Sequence, residues 1–204
     1  MLNFAKYVAA GNDFIVCETL PDEIPLLCDR RKGIGADGLI WLEGDRVHFY
    51  NSDGSKAFCC GNGLRIAAVH SKKTRLFTAL GEHAVEFTLE GCRVTYPDPR
   101  QYHQVIETLD PGAVYHPPQN LNKNYVKVLN SDHILMKTIE RGCGETPSCG
   151  SGAISTLLTL LELKKVSLKI CAEFTSGEKL WVEKMEDGLV WLEGPVHQVF
   201  TGQI

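Results

Sequence analysis

Cys60-Gly61-Asn62-Gly63 and Cys149-Gly150-Ser151-Gly152 are two copies of one four-residue pattern, 89 residues apart in a chain of 204. Each copy opens a stretch with helical apolar spacing. After the first come Leu64, Ile66, Ala67, Ala68 and Val69, and after the second Ile154, Leu157, Leu158 and Leu161. The spacing predicts helices over about 63–72 and 152–165, with Lys164-Lys165 in the last turn of the second, where the helix dipole favours cations. Both are apolar around much of their girth, so each should be buried against or inside a sheet. The echo continues upstream, with Asp53-Gly54-Ser55 before the first copy and Cys143-Gly144-Glu145-Thr146 before the second. A repeated helix opening in each half implies two related β-rich domains facing one another.

The remaining signals are hairpins. Leu39 to Tyr50 breaks at Glu43-Gly44-Asp45. The run 85–89 reverses at Glu90-Gly91 into Val94-Thr95-Tyr96, and Trp181-Val182-Glu183 reverses near Asp187-Gly188 into the run 189–192. Pro97-Asp98-Pro99-Arg100 is the best linker candidate. The fold class expected is α+β.

Lys plus Arg number 21 and Asp plus Glu 25, a net charge of −4. That balance gives no reason to expect nucleic acid or an anionic membrane as partner. There is no apolar run of membrane-spanning length, and Met1-Leu2-Asn3-Phe4-Ala5-Lys6 lacks a signal-peptide core, so a soluble cytoplasmic protein is expected. In that compartment the eight cysteines should be reduced thiols rather than a disulfide framework. No Cys-x-x-Cys occurs, which argues against structural zinc. Most of the cysteines read as inert core fillers.

Cys60 and Cys149 read differently. Glycines at a helix start let backbone N–H groups approach a ligand closely, and those unsatisfied groups with the positive dipole end form an anion site. A carboxylate between two such starts would be bound by Gly61, Asn62, Gly150 and Ser151. The same field favours thiolate over thiol. An amino acid held there by its α-carboxylate has one sulfur on each face of its α-carbon. One thiolate removes the α-proton while the other thiol delivers a proton to the opposite face, inverting the centre. This scheme needs no pyridoxal phosphate, and no metal or other cofactor is expected.

The motifs resemble those of the diaminopimelate epimerases. The resemblance rests on Gly11-Asn12-Asp13-Phe14, the run 31–38, Asn51-Ser52-Asp53-Gly54-Ser55 with Cys60-Gly61-Asn62-Gly63, and the run 140–146 with Cys149-Gly150-Ser151-Gly152-Ala153, in family order. It implies that Cys60 and Cys149 are the catalytic thiols and that Gly61, Asn62, Gly150 and Ser151 cradle the α-carboxylate. Asn12, Asn51 and Arg141 would hold the substrate, the last two at its distal end, where a bidentate guanidinium suits a carboxylate. Glu140 would support one thiol and the substrate amine, and Asn122 would be a further distal-end ligand. The chain is shorter than usual for the family around 97–101. Gln101-Tyr102-His103 stands where the family carries Asn-Pro-His, making His103 the imidazole that assists a thiol.

The resemblance further implies two pseudo-symmetric domains, each a mostly antiparallel β-sheet wrapped around a central helix. They would span residues 1–97 and 98–196, with 197–204 returning to the first as a strand. It implies a homodimer acting on a small amino-acid substrate, interconverting LL- and meso-2,6-diaminopimelate. Plainer readings stay open beside it: a surface histidine at 103, a turn residue at Asn122, a solvated pair at Glu140 and Arg141. A proline- or glutamate-type racemase and a non-enzymatic thiol redox protein are the rival functions. Gly33-Ile34-Gly35-Ala36-Asp37-Gly38 matches a dinucleotide-binding pattern only in letters, because no apolar strand precedes it and no helix pattern follows.

Overall fold

The computed structural model describes residues 1–89, 91–114, 120–141 and 143–204. Glu90 of the expected hairpin turn and Gly142 of the second motif lie outside them. The chain divides into two compact units, Met1–Val94 with Pro195–Ile204, and Thr95–Gly194.

In the first unit the strands are β1 (Asn3–Ala9), β2 (Asn12–Cys17), β3 (Gly38–Glu43), β4 (Arg46–Asn51), β5 (Lys56–Ala57), β6 (Arg75–Thr78), β7 (Gly81–Phe87) and β8 (Gly91–Thr95). The chain's closing strand, His197–Gln203, pairs antiparallel with β1. Two helices interrupt them, the five-residue α1 (Ile24–Cys28) and the long α2 (Gly61–Ser71). The β3–β4 hairpin is tight, with Glu43 opposite Arg46 and Gly44 at φ +64°, a turn conformation that favours glycine. α2 lies on β1, β2, β3 and β4 and buries Leu64, Ile66, Ala67 and Ala68 completely. A second cluster, under α1, gathers Ile15, Leu27, Cys28, Leu39 and Tyr50.

The second unit carries β9 (His103–Glu107), β10 (Asn122–Asn130), β11 (His133–Glu140), β12 (Gly144–Thr146), β13 (Lys169–Phe174), β14 (Lys179–Lys184) and β15 (Val190–Pro195). Its one long helix, α3 (Gly150–Glu162), buries Ala153, Ile154, Leu157 and Leu160 against the sheet, where Val126, Ile134, Met136 and Leu180 are fully enclosed.

From β2 to β8 the first unit is repeated, strand for strand, by β9 to β15 of the second. In the first, β2 runs parallel to β3, β3 antiparallel to β4, β4 pairs with the short β5 and runs parallel to β6, and β6–β7–β8 is an antiparallel meander. In the second, β9 runs parallel to β10, β10 antiparallel to β11, β11 pairs with the short β12 and runs parallel to β13, and β13–β14–β15 is an antiparallel meander. Each long helix follows the short strand. The fold is α+β, two units of like plan, each a mostly antiparallel sheet with one long helix. The ladders also set equivalent positions. Ile40 pairs with Phe49 in the first unit where Asn124 pairs with Thr138 in the second, and Phe14 corresponds to His103.

Several expectations need correction. Both long helices start two residues early, at Gly61 and Gly150. The second ends at Glu162, so Lys164-Lys165 lie beyond it, with Lys164 at φ +56°. The short α1 has no counterpart in the sequence reading. Cys17, Cys28 and Cys92 are core residues, but Cys143 is exposed and Cys59 and Cys171 are only partly buried.

Candidate active site

Each repeated motif places its cysteine at the N-cap of the long helix. Cys60 has extended backbone, φ −132° and ψ 120°, and Cys149 closely matches it at φ −138° and ψ 106°. The position normally belongs to Ser, Thr, Asp or Asn, whose side-chain oxygen accepts from an early helical N–H. Here sulfur takes that role. Gly63 N–H donates to Cys60 Sγ at 3.5 Å, and Gly152 N–H donates to Cys149 Sγ at 3.4 Å. A capping acceptor carrying negative charge is stabilised by the helix dipole, so both places favour thiolate.

The second glycine of each motif answers to packing. A Cβ on Gly63 would stand 2.7 Å from the Phe49 ring, and one on Gly152 would stand 2.6 Å from Asn124 Oδ1 and 3.1 Å from Thr138 Oγ1. Only glycine lets the helix start lie this close to the two strands beneath it.

Around Cys60 the first unit brings polar groups from three elements. The Cys60 thiol donates to Asn12 Oδ1 at 3.8 Å, and Asn12 Nδ2 donates to Asp37 Oδ2 at 2.7 Å, which sets the amide so that its oxygen faces the sulfur. Asp37 belongs to an ion cluster. Arg30 spans Asp13 and Asp37 at 2.7 and 2.8 Å, and buried Lys6 meets Asp13 at 2.8 Å. Burial alone would raise the Asp13 carboxyl, but hydrogen bonds from Arg30 and Lys6 overcome it and hold the group well below the usual carboxylate range. Beneath Cys60, Arg65 of α2 is wholly enclosed, and its Nη2 donates to Asn62 Oδ1 at 2.9 Å. Its Nε and Nη1 have no hydrogen-bond partner. Burial lowers its pKa to about 10, opposed by the sulfurs of Cys92 and Cys60, so the guanidinium stays charged at neutral pH.

The surroundings of Cys149 are different. Glu140, at the end of β11, accepts from Thr146 Oγ1 at 2.8 Å and from the Cys149 thiol. Burial pushes its carboxyl above the ordinary range, opposed by those two hydrogen bonds. On the other side, Ser151 Oγ stands 3.4 Å from Cys149 Sγ and 3.0 Å from His103 Nε2. His103 is 7% exposed, which removes the surface reading, and burial lowers its pKa to about 4, so the ring is neutral at pH 7. It reaches the sulfur through Ser151, within its own unit.

The distal-end candidates are on loops and strand ends. Asn51 is exposed at the end of β4, its Nδ2 donating to Ser55 Oγ at 2.9 Å. Asn122 opens β10 rather than a turn, and its Oδ1 accepts from the Arg141 backbone at 2.8 Å. Arg141 and Gln101 are exposed. Gly61 and Asn62 occupy the first two helical positions of α2, as Gly150 and Ser151 do in α3. The sequence reading passed over Asn124, Thr138 and Arg65. For Asn124 a signal was present, because a strand's two-residue period puts it on the face of Asn122. For Arg65 it was a lone cation inside an apolar helix.

The diaminopimelate epimerase family model matches residues 4–95. The whole chain aligns with the diaminopimelate epimerase of Synechococcus elongatus at 29% identity over 275 positions, covering 100% of this chain and 98% of the relative. Among solved structures, a phenazine biosynthesis protein of the PhzF family from Enterococcus faecalis superposes with TM-score 0.72 at 14% identity, covering 99% of this chain and 98% of the other. A hydroxyproline epimerase from Agrobacterium vitis, with bound trans-4-hydroxy-L-proline, gives 0.68 at 12% identity, covering 100% and 90%. These structures share the fold. The chain is similar along its whole length to the diaminopimelate epimerases, in a shortened form, and shares its fold with a hydroxyproline epimerase and a PhzF-family protein.

Proposed function

We propose that this chain is a cofactor-independent epimerase that interconverts LL- and meso-2,6-diaminopimelate, with Cys60 and Cys149 as its proton-transferring pair. One observation carries the reading: each cysteine caps a long helix with its sulfur in a backbone N–H hydrogen bond, in two units of the same plan. The substrate α-carboxylate takes the N–H groups of Gly61, Asn62, Gly150 and Ser151. One thiolate removes the α-proton as the opposite thiol delivers another, and the charge that develops toward the carboxylate falls on N–H groups already in place. Two interacting thiols titrate as a pair, so the pH–rate profile belongs to both.

The two sulfurs are held in readiness differently. Arg65 keeps a standing positive charge beneath Cys60, while Cys149 shares a proton with Glu140. Of the two sulfurs, Cys60 is the one with a fixed cation beside it to stabilise a thiolate, and Cys149 the one with a carboxylate beside it to hold its thiol proton. Asn12 orients the substrate beside Cys60, and Asn51, Asn122 and Arg141 take the distal carboxylate and amine.

The test is α-proton exchange. Reduced enzyme with LL-diaminopimelate in deuterated buffer should incorporate solvent deuterium with inversion, and Cys60→Ala and Cys149→Ala should each abolish inversion. No exchange in the parent overturns the substrate, and the same assay with proline and glutamate reads the rival racemases. Silence with all three, alongside reversible thiol oxidation, would support a redox protein instead.

A further inference from the structure

The second unit buries three polar side chains where the first buries apolar ones. Phe14, Ile40 and Phe49 occupy, in the first unit, the ladder positions that His103, Asn124 and Thr138 occupy in the second. Phe14 is 6% exposed, Phe49 2% and Ile40 0%; His103 is 7% exposed, Asn124 0% and Thr138 0%. The plan of the fold is satisfied by hydrocarbon at all three places. Burying an amide, a hydroxyl and an imidazole there costs free energy unless each is hydrogen-bonded, and packing gains nothing by it. All three are bonded, in one line that ends on Cys149. Thr138 Oγ1 donates to Asn124 Oδ1 at 3.0 Å, Asn124 Nδ2 meets His103 Nδ1 at 3.3 Å, His103 Nε2 meets Ser151 Oγ at 3.0 Å, and Ser151 Oγ lies 3.4 Å from Cys149 Sγ.

The direction of the line follows from its anchored end. Asn124 Oδ1 abuts the start of α3, 2.6 Å from where a Cβ on Gly152 would stand. A helix start presents N–H groups and the positive dipole end, so an oxygen belongs there and an NH2 does not. With the oxygen so placed, and taking the Thr138 proton, Nδ2 is turned to the imidazole and can only donate. His103 Nδ1 must accept. A neutral imidazole carries one N–H, so the proton sits on Nε2 and is donated to Ser151 Oγ. Ser151 then accepts from His103, and its single O–H is directed at the sulfur.

We propose that Asn124 is a positioning residue that fixes His103 as its Nε2–H tautomer, so that Ser151 donates its hydroxyl proton to the sulfur of Cys149. No proton leaves the chain of groups; the line holds a donor against the sulfur whenever Cys149 carries the negative charge. Glu140, on the other side of the sulfur, accepts the thiol's hydrogen bond and can take its proton when the thiolate forms before a substrate proton is removed. The inference builds on the reading of Cys149 as a proton-transferring thiol, and its tests need no turnover.

Long-range 15N–1H correlation of the parent, labelled at histidine, should show His103 as the neutral Nε2–H form at pH 7. A Nδ1–H form overturns the proposal without any variant. Asn124→Asp keeps the shape but presents oxygen to Nδ1, so the ring should take a proton there, its nitrogen shifts should change, and Ser151 should be freed from its fixed direction. Alkylation of Cys149 by iodoacetamide, followed by peptide mass spectrometry, should then slow about tenfold at pH 7, with Cys60 unchanged. Ser151→Ala should slow Cys149 to a similar degree and leave the His103 tautomer as in the parent. Unchanged Cys149 reactivity in both variants would sink the relay, even if deuterium exchange on diaminopimelate succeeds. Intact relay signals with no such exchange would instead remove the substrate assignment.

Discussion

The two helix starts are alike in backbone and opposite in what surrounds them. Both caps are cysteines, both sulfurs accept from the third residue on, and both second glycines are forced by close approach to a strand pair. Beneath Cys60 that pair is Ile40 and Phe49, with a buried guanidinium alongside; beneath Cys149 it is Asn124 and Thr138, with a buried carboxyl alongside. Duplicated backbone thus fixes where a thiol stands, and the side chains that filled each copy decide its charge. The first unit supplies a cation that does not titrate near neutrality. The second supplies protonatable and hydroxyl groups on both sides of the sulfur, Glu140 on one and Ser151 with His103 on the other.

Charge pairing in the first unit should give the largest stability effect. Asp13 joins Lys6, whose side chain is 7% exposed, to Arg30, whose side chain is 59% exposed. The Arg30 share is largely screened by solvent and counts for little. Asp13→Asn leaves the enclosed ammonium of Lys6 without its counter-charge and should cost about 3 kcal/mol in urea unfolding. The pH dependence has a definite sign. The folded carboxyl titrates below its unfolded value near ~3.9, so its contribution is full above about pH 4 and is lost as pH falls further. Asp13→Asn should flatten that acid limb, and a parent-like limb in the variant would show that other carboxylates carry it. The second unit has one buried ammonium of this kind, Lys137, whose side chain is 7% exposed and which meets Glu145 at 3.0 Å but also donates to the Gly112 carbonyl, so Glu145→Gln should cost less than Asp13→Asn.

Alanine at the paired glycines separates stability from chemistry. Gly63→Ala drives a methyl to 2.7 Å from the Phe49 ring, in a wall of packed hydrocarbon, and should cost about 2 kcal/mol by overpacking. Gly152→Ala drives a methyl against Asn124 Oδ1, the end of a side chain that can turn aside. It should cost less in stability, about 1 kcal/mol, while slowing Cys149 alkylation as Asn124→Asp does. Equal stability costs with no change at Cys149 would mean that the polar wall yields nothing the apolar wall does not.

Much of this plan was legible in the sequence, and the part that was not has a common cause. The repeated motif marked both helix starts because glycine and cysteine side by side are rare openings. The β3–β4 turn announced itself through Gly44, which takes a positive φ. Helix bounds were misjudged because glycine reads as a breaker, although the first helical position asks nothing of its side chain. α1 was missed because five residues show no period and Pro25 reads as an interruption, although proline is tolerated in a first turn. Asn124 was overlooked for a different reason. Its partners are Thr138, 14 residues on, and His103, 21 residues back. Periodicity reports burial of apolar residues, and a buried amide becomes recognisable only once the ladders bring its partners to it.

Arg65 offers the smallest expected effect and the sharpest reading of the charge contrast. A buried guanidinium with two unpartnered nitrogens, and with no carboxylate paired to it among the described residues, is a cost to folding that its bond to Asn62 does not repay. Arg65→Met removes that cost together with the bond, so unfolding stability should shift by less than about 1 kcal/mol. Reactivity should not be neutral. The cation lies on the helix that Cys60 caps and acts on that sulfur, so its loss should slow Cys60 alkylation at pH 7 about tenfold, equivalent to about 1.4 kcal/mol. Cys149, which depends on Glu140 and Ser151 instead, should react as in the parent, and Arg65→Lys should restore Cys60 in part. Equal slowing at both cysteines would point to a general disturbance of the fold. An unchanged Cys60 would mean that the helix start alone sustains its thiolate, and the contrast between the two sulfurs would then rest on the second unit only.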